Sequence, residues 1–326
     1  MRRREFITAA GAAIGWPLVA RAQQSPMRRI GVLMNIAADD TESPGRVASL
    51  QSGLRELGWI EGRNLQIDYR WAAGDVGRFQ RYAAELVALA PDMIVAAASP
   101  AVSAIQQTSH TVPIVFVNVI DPVGAGFVAG LAKPGGNTTG FTLFEYSISG
   151  KWLEMLKQIA PRTTRVGVIR DRNPTGIGQY AVLQAMAPSF GVELRPIDPQ
   201  DASEIERMIS TVAAEPTAGL IVTLSTLAAI RRDLIVAQAT RHRLSTIYSA
   251  RFFVAAGGLI SYGPDTLDGY RRVASYIDRV LKGEKPADLP VQAPTKYELA
   301  INLKTAKSLG VNIPPILLAT ADEVIE

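Results

Sequence analysis

Between Met93 and Val117 the chain contains two strands with no side left for water. Met93-Ile94-Val95-Ala96-Ala97 and Ile114-Val115-Phe116-Val117 are unbroken apolar runs. A strand with one wet face alternates apolar and polar residues, whereas an unbroken run belongs to a parallel sheet covered on both faces. Parallel neighbours need a crossover. The segment between the runs supplies one, a helix that opens at Ser99-Pro100-Ala101 and reaches about Thr108. In such sheets ligands sit outside the carboxyl ends of the strands. Ser99 and Asp121 stand at those ends.

The pattern extends through the chain. Arg29–Asn35 and Leu65–Trp71 read as strands, and helices are predicted over 45–57 and 76–89. A short helix is predicted over Gly124–Leu131, and Lys133–Gly140 reads as a flexible connection. A second unit follows, with a helix over 149–159 and strands over 165–170, 193–197, 220–223 and 245–249. Helices ending at Phe190 and spanning 202–214 and 227–243 alternate with them. Ile94-Val95 leads to Ser99 as Ile221-Val222 leads to Ser225, so the two units share an architecture. The fold class is α/β, with two Rossmann-like lobes. The strand over Gly257–Gly263, the helix over Thr266–Lys282 and the strand over Tyr297–Ile301 are too few for a third domain. They complete the two existing sheets. The expected N-terminal lobe is 28–141 plus about 264–295, and the C-terminal lobe is 142–262 plus about 297–326, joined by a hinge of several strands.

Composition narrows the chemistry. The 326 residues include no cysteine, which excludes thiol catalysis, disulfides, Cys-based zinc sites and a lipid-modified N-terminal Cys. Only His110 and His242 are available for histidine chemistry, so neither a metal nor a cofactor is expected. The net charge of +4 comes from 34 basic and 30 acidic residues, with basic ones crowded into the first four positions, and gives no case for nucleic acid. Residues 1–22 read as an export signal. Arg2-Arg3-Arg4 is a positive start, Ile7–Val19 is mildly apolar and too short to span a membrane, and Ala20-Arg21-Ala22 fits a cleavage site. Arg3-Arg4-Glu5-Phe6-Ile7 looks like a twin-arginine signal. The expected product is free in the periplasm.

Several stretches carry a resemblance. They are Ser99-Pro100-Ala101, Pro113-Ile114-Val115-Phe116, Asp121-Pro122-Val123, Leu131-Ala132-Lys133-Pro134-Gly135-Gly136-Asn137-Thr138-Thr139-Gly140, Gly257–Gly263 and Ala321–Glu326. Together with the two lobes and the export signal they resemble the ABC-transporter substrate-binding family that includes tryptophan- and tyrosine-binding members. The resemblance covers nearly all of the mature chain. It implies a type I periplasmic binding protein fold and a receptor that closes on a small solute, amino acid or other carboxylate, and delivers it to an ABC permease in the inner membrane. An enzyme on the same scaffold is the competing reading. Scarce histidines and the want of a paired carboxylate weigh against it.

Candidate ligand contacts follow from strand ends. Ser99 is a candidate N-cap with Pro100 at the first helical position. The free N–H groups after it, Ala101 first, would favour a carboxylate or phosphate. Asn35, Asn173 and Ser225 also follow strands, where turn chemistry alone would equally select them. Asp121 either holds a ligand ammonium or begins the Asp-Pro-Val-Gly turn. Tyr262 and Asp265 lie on a crossing segment, and Tyr262 would stack on a ligand or pack between lobes. Tyr248 and Phe252 form an aromatic wall or part of the core.

Overall fold

The structure, a computed structural model, describes residues 27–326. The export signal, its arginine pair and the cleavage site lie outside the described residues.

The first lobe is built around the apolar runs. Its elements are β1 (Arg28–Met34), α1 (Ser43–Glu56), β2 (Leu65–Trp71), α2 (Val76–Ala88), β3 (Met93–Ala97), α3 (Ala98–Thr108), β4 (Ile114–Val119) and β5 (Thr138–Thr142). They form a five-stranded sheet in the order β2-β1-β3-β4-β5, parallel throughout. All five residues of β3 are buried. Alternation decides which layer each side chain enters. Ile94 and Ala96 join Phe79, Leu86, Val102 and Ile105 beneath α2 and α3. Val95 and Ala97 join Ile30, Leu50 and Leu54 on the α1 side.

The second lobe continues with α4 (Ile148–Ile159), β6 (Arg165–Ile169), α5 (Pro174–Met186), β7 (Glu193–Ile197), α6 (Ala202–Ala213), β8 (Ala218–Val222), α7 (Thr226–Ile230), α8 (Arg232–Arg241), β9 (Ser245–Tyr248), α9 (Arg251–Ala255) and β10 (Ile260–Pro264). The chain then returns to the first sheet. α10 (Thr266–Leu281) lies along α1 and contributes Tyr270, Val273 and Ile277 to the core on that side. The two helices come close at Gly53, where a Cβ would press on the Arg271 carbonyl and lie 2.8 Å from the Ala274 Cβ. The following loop edges the same sheet. Gln292 N–H donates to Gly140 O at 2.9 Å, and Thr142 N–H donates to Gln292 O at 2.8 Å. The remaining elements are β11 (Tyr297–Asn302), α11 (Leu303–Leu309), α12 (Pro315–Thr320) and β12 (Glu323–Ile325). The second sheet has the order β12-β11-β10-β9-β8-β6-β7, with β10 and β11 antiparallel.

Four expectations need correcting. Gly124–Leu131 forms turns rather than a helix. Asp121 accepts the Gly124 N–H at 2.8 Å, and Gly126 sits at φ +74°, so glycine freedom outweighs helix propensity. The run read as a flexible connection ends in a strand, β5. Gly140 there has φ +154°, and a Cβ would overlap the Phe116 carbonyl of β4, so the glycine is what lets the edge strand approach. The helix predicted over 227–243 breaks at Arg231 into α7 and α8. The segment after β9, assigned no helix, forms the five-residue α9.

Candidate functional site

The carboxyl ends of the two sheets face one cleft. From the first lobe, Asn35 follows β1, Ala98 follows β3, and Asn118 and Ile120 end β4. From the second, Asp171 follows β6, Leu224 follows β8, and Phe252 follows β9. Their empty space is about 650 Å³, part of it open to solvent. This is where a parallel sheet places ligands, here doubled by two sheets facing each other.

Of the eleven residues singled out from sequence, the structure brings six to this cleft: Asn35, Ser99, Pro100, Asn173, Ser225 and Phe252. Asn173 Oδ1 accepts the Gly176 N–H at 2.9 Å and caps α5, while Ser225 Oγ accepts the Ala228 N–H at 3.0 Å and caps α7. Turn chemistry and cleft position coincide at both. Ser99 lines the cleft but is not the helix cap expected of it. α3 begins at Ala98, its N-cap is Ala97, and no side chain caps it. The chain turns from β3 into α3 through Ala98 at φ +67°, so the turn is complete before Ser99. Pro100 falls third in the helix, still where no N–H partner is needed. Asn118, across the cleft wall, is also left-handed at φ +57°. Such strain gathers at ligand sites.

The other five lie elsewhere. Ala101 is fully buried in the core under α3. Asp121 makes the turn already described and lines a separate hollow beside Phe144 and Tyr146. Tyr248 is buried and stacks on Phe253, ring centroids 5.1 Å apart. Tyr262 stacks on Tyr297 at 6.0 Å. Asp265 caps α10, accepting from Leu267 and Asp268 N–H groups at 2.8 and 3.3 Å. Of the aromatic pair, it is Phe252 that reaches the cleft.

Sequence reasoning missed Arg46 and Asp171, both lining the cleft. Arg46 lies on α1 and is 4% exposed. Its Nη1 donates to Asn35 Oδ1 at 3.0 Å and to the Tyr270 hydroxyl at 3.4 Å, and the guanidinium carbon stands 5.6 Å from the Tyr270 ring centre. One signal was readable. Arg46, Leu50 and Leu54 fall on one helical stripe, so the arginine continues a buried face. Burial pushes the Asp171 carboxyl above its ordinary range, and hydrogen bonds from Ser225 and Asn173 oppose that rise.

Contacts also cross the cleft. Asn35 Nδ2 donates to Thr226 Oγ1 at 3.4 Å. At the rim, Arg232 donates to Asp40 Oδ2 at 3.0 Å and to Thr41 Oγ1 at 2.8 Å. The side chains of that ion pair are only 9% and 10% exposed. Among the described residues, no group of three His, Asp or Glu side chains is placed to hold a metal ion. No described helix is long and apolar enough to cross a membrane.

Comparison with known proteins gives a consistent picture. A family model described as ABC transporter substrate binding protein matches residues 29–325. The chain is 29% identical over 266 residues to the tyrosine-binding protein of Clostridioides difficile (strain R20291), covering 79% of this chain and 74% of that protein. It is similar to the solved structure of an ABC domain from Streptococcus pneumonia in complex with L-Trp, with 27% identity and a TM-score of 0.85 over 92% of this chain and 100% of that one. A conserved domain protein from Vibrio cholerae O1 biovar eltor matches equally well in shape, with 27% identity and a TM-score of 0.85 over 91% of this chain and 99% of that one.

Proposed function

We propose, from the premise that this chain belongs to the ABC transporter substrate-binding protein family, that it closes two lobes on a small polar solute bearing a carboxylate, aromatic amino acids being the first class to test. The observation that carries this reading is the cleft itself, walled by strand-end residues of both sheets and bridged by Asn35 and Thr226. A solute touching both walls favours the closed state by its differential affinity for it. The relatives named for tyrosine and L-Trp support the amino-acid class. So does the lining, where apolar Ile120, Leu143 and Phe252 stand beside polar strand-end groups. An enzyme reading has less support, because Asp171 is the one carboxylate in the lining and no histidine joins it.

We take the lobes to divide at Phe141–Phe144, near Pro264 and near Tyr297, where the chain passes between sheets. Closure is tested by thermal melting and solution scattering against a panel of amino acids and neutral sugars. A bound amino acid at 100 times its dissociation constant should add about 2.7 kcal/mol of stability and reduce the radius of gyration. A panel in which only neutral sugars do so overturns the solute class, and binding without compaction overturns the hinge.

Export to the periplasm and delivery to an inner-membrane permease complete the proposal. Arg3 and Arg4 support the twin-arginine route. Replacing both by lysine should leave precursor in the cytoplasm on cell fractionation, and an unchanged periplasmic yield would assign export to general secretion instead.

A further inference from the structure

We propose that Arg46 and Asp171 are the charge-reading residues of the cleft, Arg46 taking the solute's carboxylate from one lobe and Asp171 its ammonium from the other. The inference rests on the cleft being the solute site, as proposed above.

Arg46 is the anomaly that leads to it. A buried arginine is nearly always paired, because an unpaired charge out of water is costly. This fold follows that rule elsewhere. Arg232, equally buried, is neutralised by Asp40. Arg170 meets Asp198 through two bonds of 2.6 and 3.1 Å. Arg46 has only neutral neighbours, the Asn35 amide and the Tyr270 hydroxyl and ring. Its buried Nε has no partner among the described residues. Arg46 lines the cleft, and a guanidinium with an unpartnered N–H is matched by a carboxylate, which can accept two parallel bonds.

Asp171 has the opposite need. Its hydrogen-bond partners are the neutral cap residues Asn173 and Ser225, and the nearby Asp198 carboxylate disfavours its charge further. Burial disfavours its charged form, and an ammonium bound beside it would reverse that effect. The neighbouring Arg170 is committed to Asp198. Arg46 and Asp171 do not pair with each other, although both line the same cleft. Each wall therefore holds one uncompensated charge, of opposite sign. A zwitterion satisfies both at once and needs the lobes closed to do so. A solute with one charge leaves one pole bare.

The test uses L-tryptophan with two analogues, tryptamine, which lacks the carboxylate, and indole-3-propionate, which lacks the ammonium. The other amino acids serve as a wider panel. Calorimetry on wild-type protein should show each analogue at least tenfold weaker than the amino acid it truncates. Asp171→Asn should narrow the gap to indole-3-propionate, and Arg46→Gln the gap to tryptamine. These crossed changes in preference are not produced by a general loss of stability. If Arg46→Gln fails to fold, the wild-type series and the near-isosteric Asp171→Asn decide alone. Equal binding of amino acid and analogues by wild type, or unchanged preferences in the variants, overturns the charge assignment and leaves the receptor reading intact. Closure on a neutral sugar with no amino acid bound overturns both.

Discussion

Asp265 begins α10, the helix whose Tyr270 faces Arg46. Its carboxylate accepts two of the N–H groups that the first turn cannot satisfy internally. Asp265→Ala should therefore cost about 1 kcal/mol of stability in urea denaturation. Asp265→Asn, also a good cap, should recover most of it. Solute affinity by calorimetry should hold in both, because Asp265 is outside the cleft lining. A tenfold loss of affinity with stability intact would place the carboxylate in the site. Side-chain roles were legible where the partner is local. Asn173 and Ser225 bond N–H groups three residues on, so their place at a strand end is enough to find them. Arg46 depends on Asn35 and on Tyr270, which is 224 residues away, and no local pattern carries that contact. Ser99 misled because Ser-Pro matches a cap and first helical position so well. The left-handed turn at Ala98 is invisible in an alanine.

Buried elements were the easiest to read. β3 has the bounds its apolar run implied, since burial on both faces admits little but Val, Ile, Leu, Met and Ala. Edges were harder. β5 is the polar run Thr138–Thr142, held by β4 on one side and the Gln292 segment on the other. Such a strand needs neighbours, and one of them comes from the far end of the chain. The same holds for α10. Its apolar face marked it as a helix, but its seat on α1 depends on the missing side chain at Gly53. The break between α7 and α8 at Arg231 sits beside the rim pair, where Arg232 must turn toward Asp40. Periodicity alone continued the helix straight through.

The closure proposed for the whole molecule also involves groups outside the cleft lining. Arg232 and Asp40 are nearly dry when the lobes are together, and separation would return them to water. Arg232→Ala would leave Asp40 dry and unpaired in the closed form, a cost of about 3–5 kcal/mol that opening relieves in part. Ten- to hundredfold weaker apparent affinity is expected, with a larger radius of gyration at low solute concentration. Adding Asp40→Ala should recover part of the loss, since no bare charge remains. Calorimetry and scattering on the single and double variants check this, and an unchanged affinity in Arg232→Ala would count against the rim pair. The pair thus separates two properties usually confounded. Apparent affinity equals intrinsic affinity scaled by the fraction of molecules competent to bind. On the proposed function the strand ends decide which solute is heard. The rim would decide how faint a supply can be and still be heard, so drift at Asp40 or Arg232 would retune a lineage to a richer or poorer habitat without altering its diet.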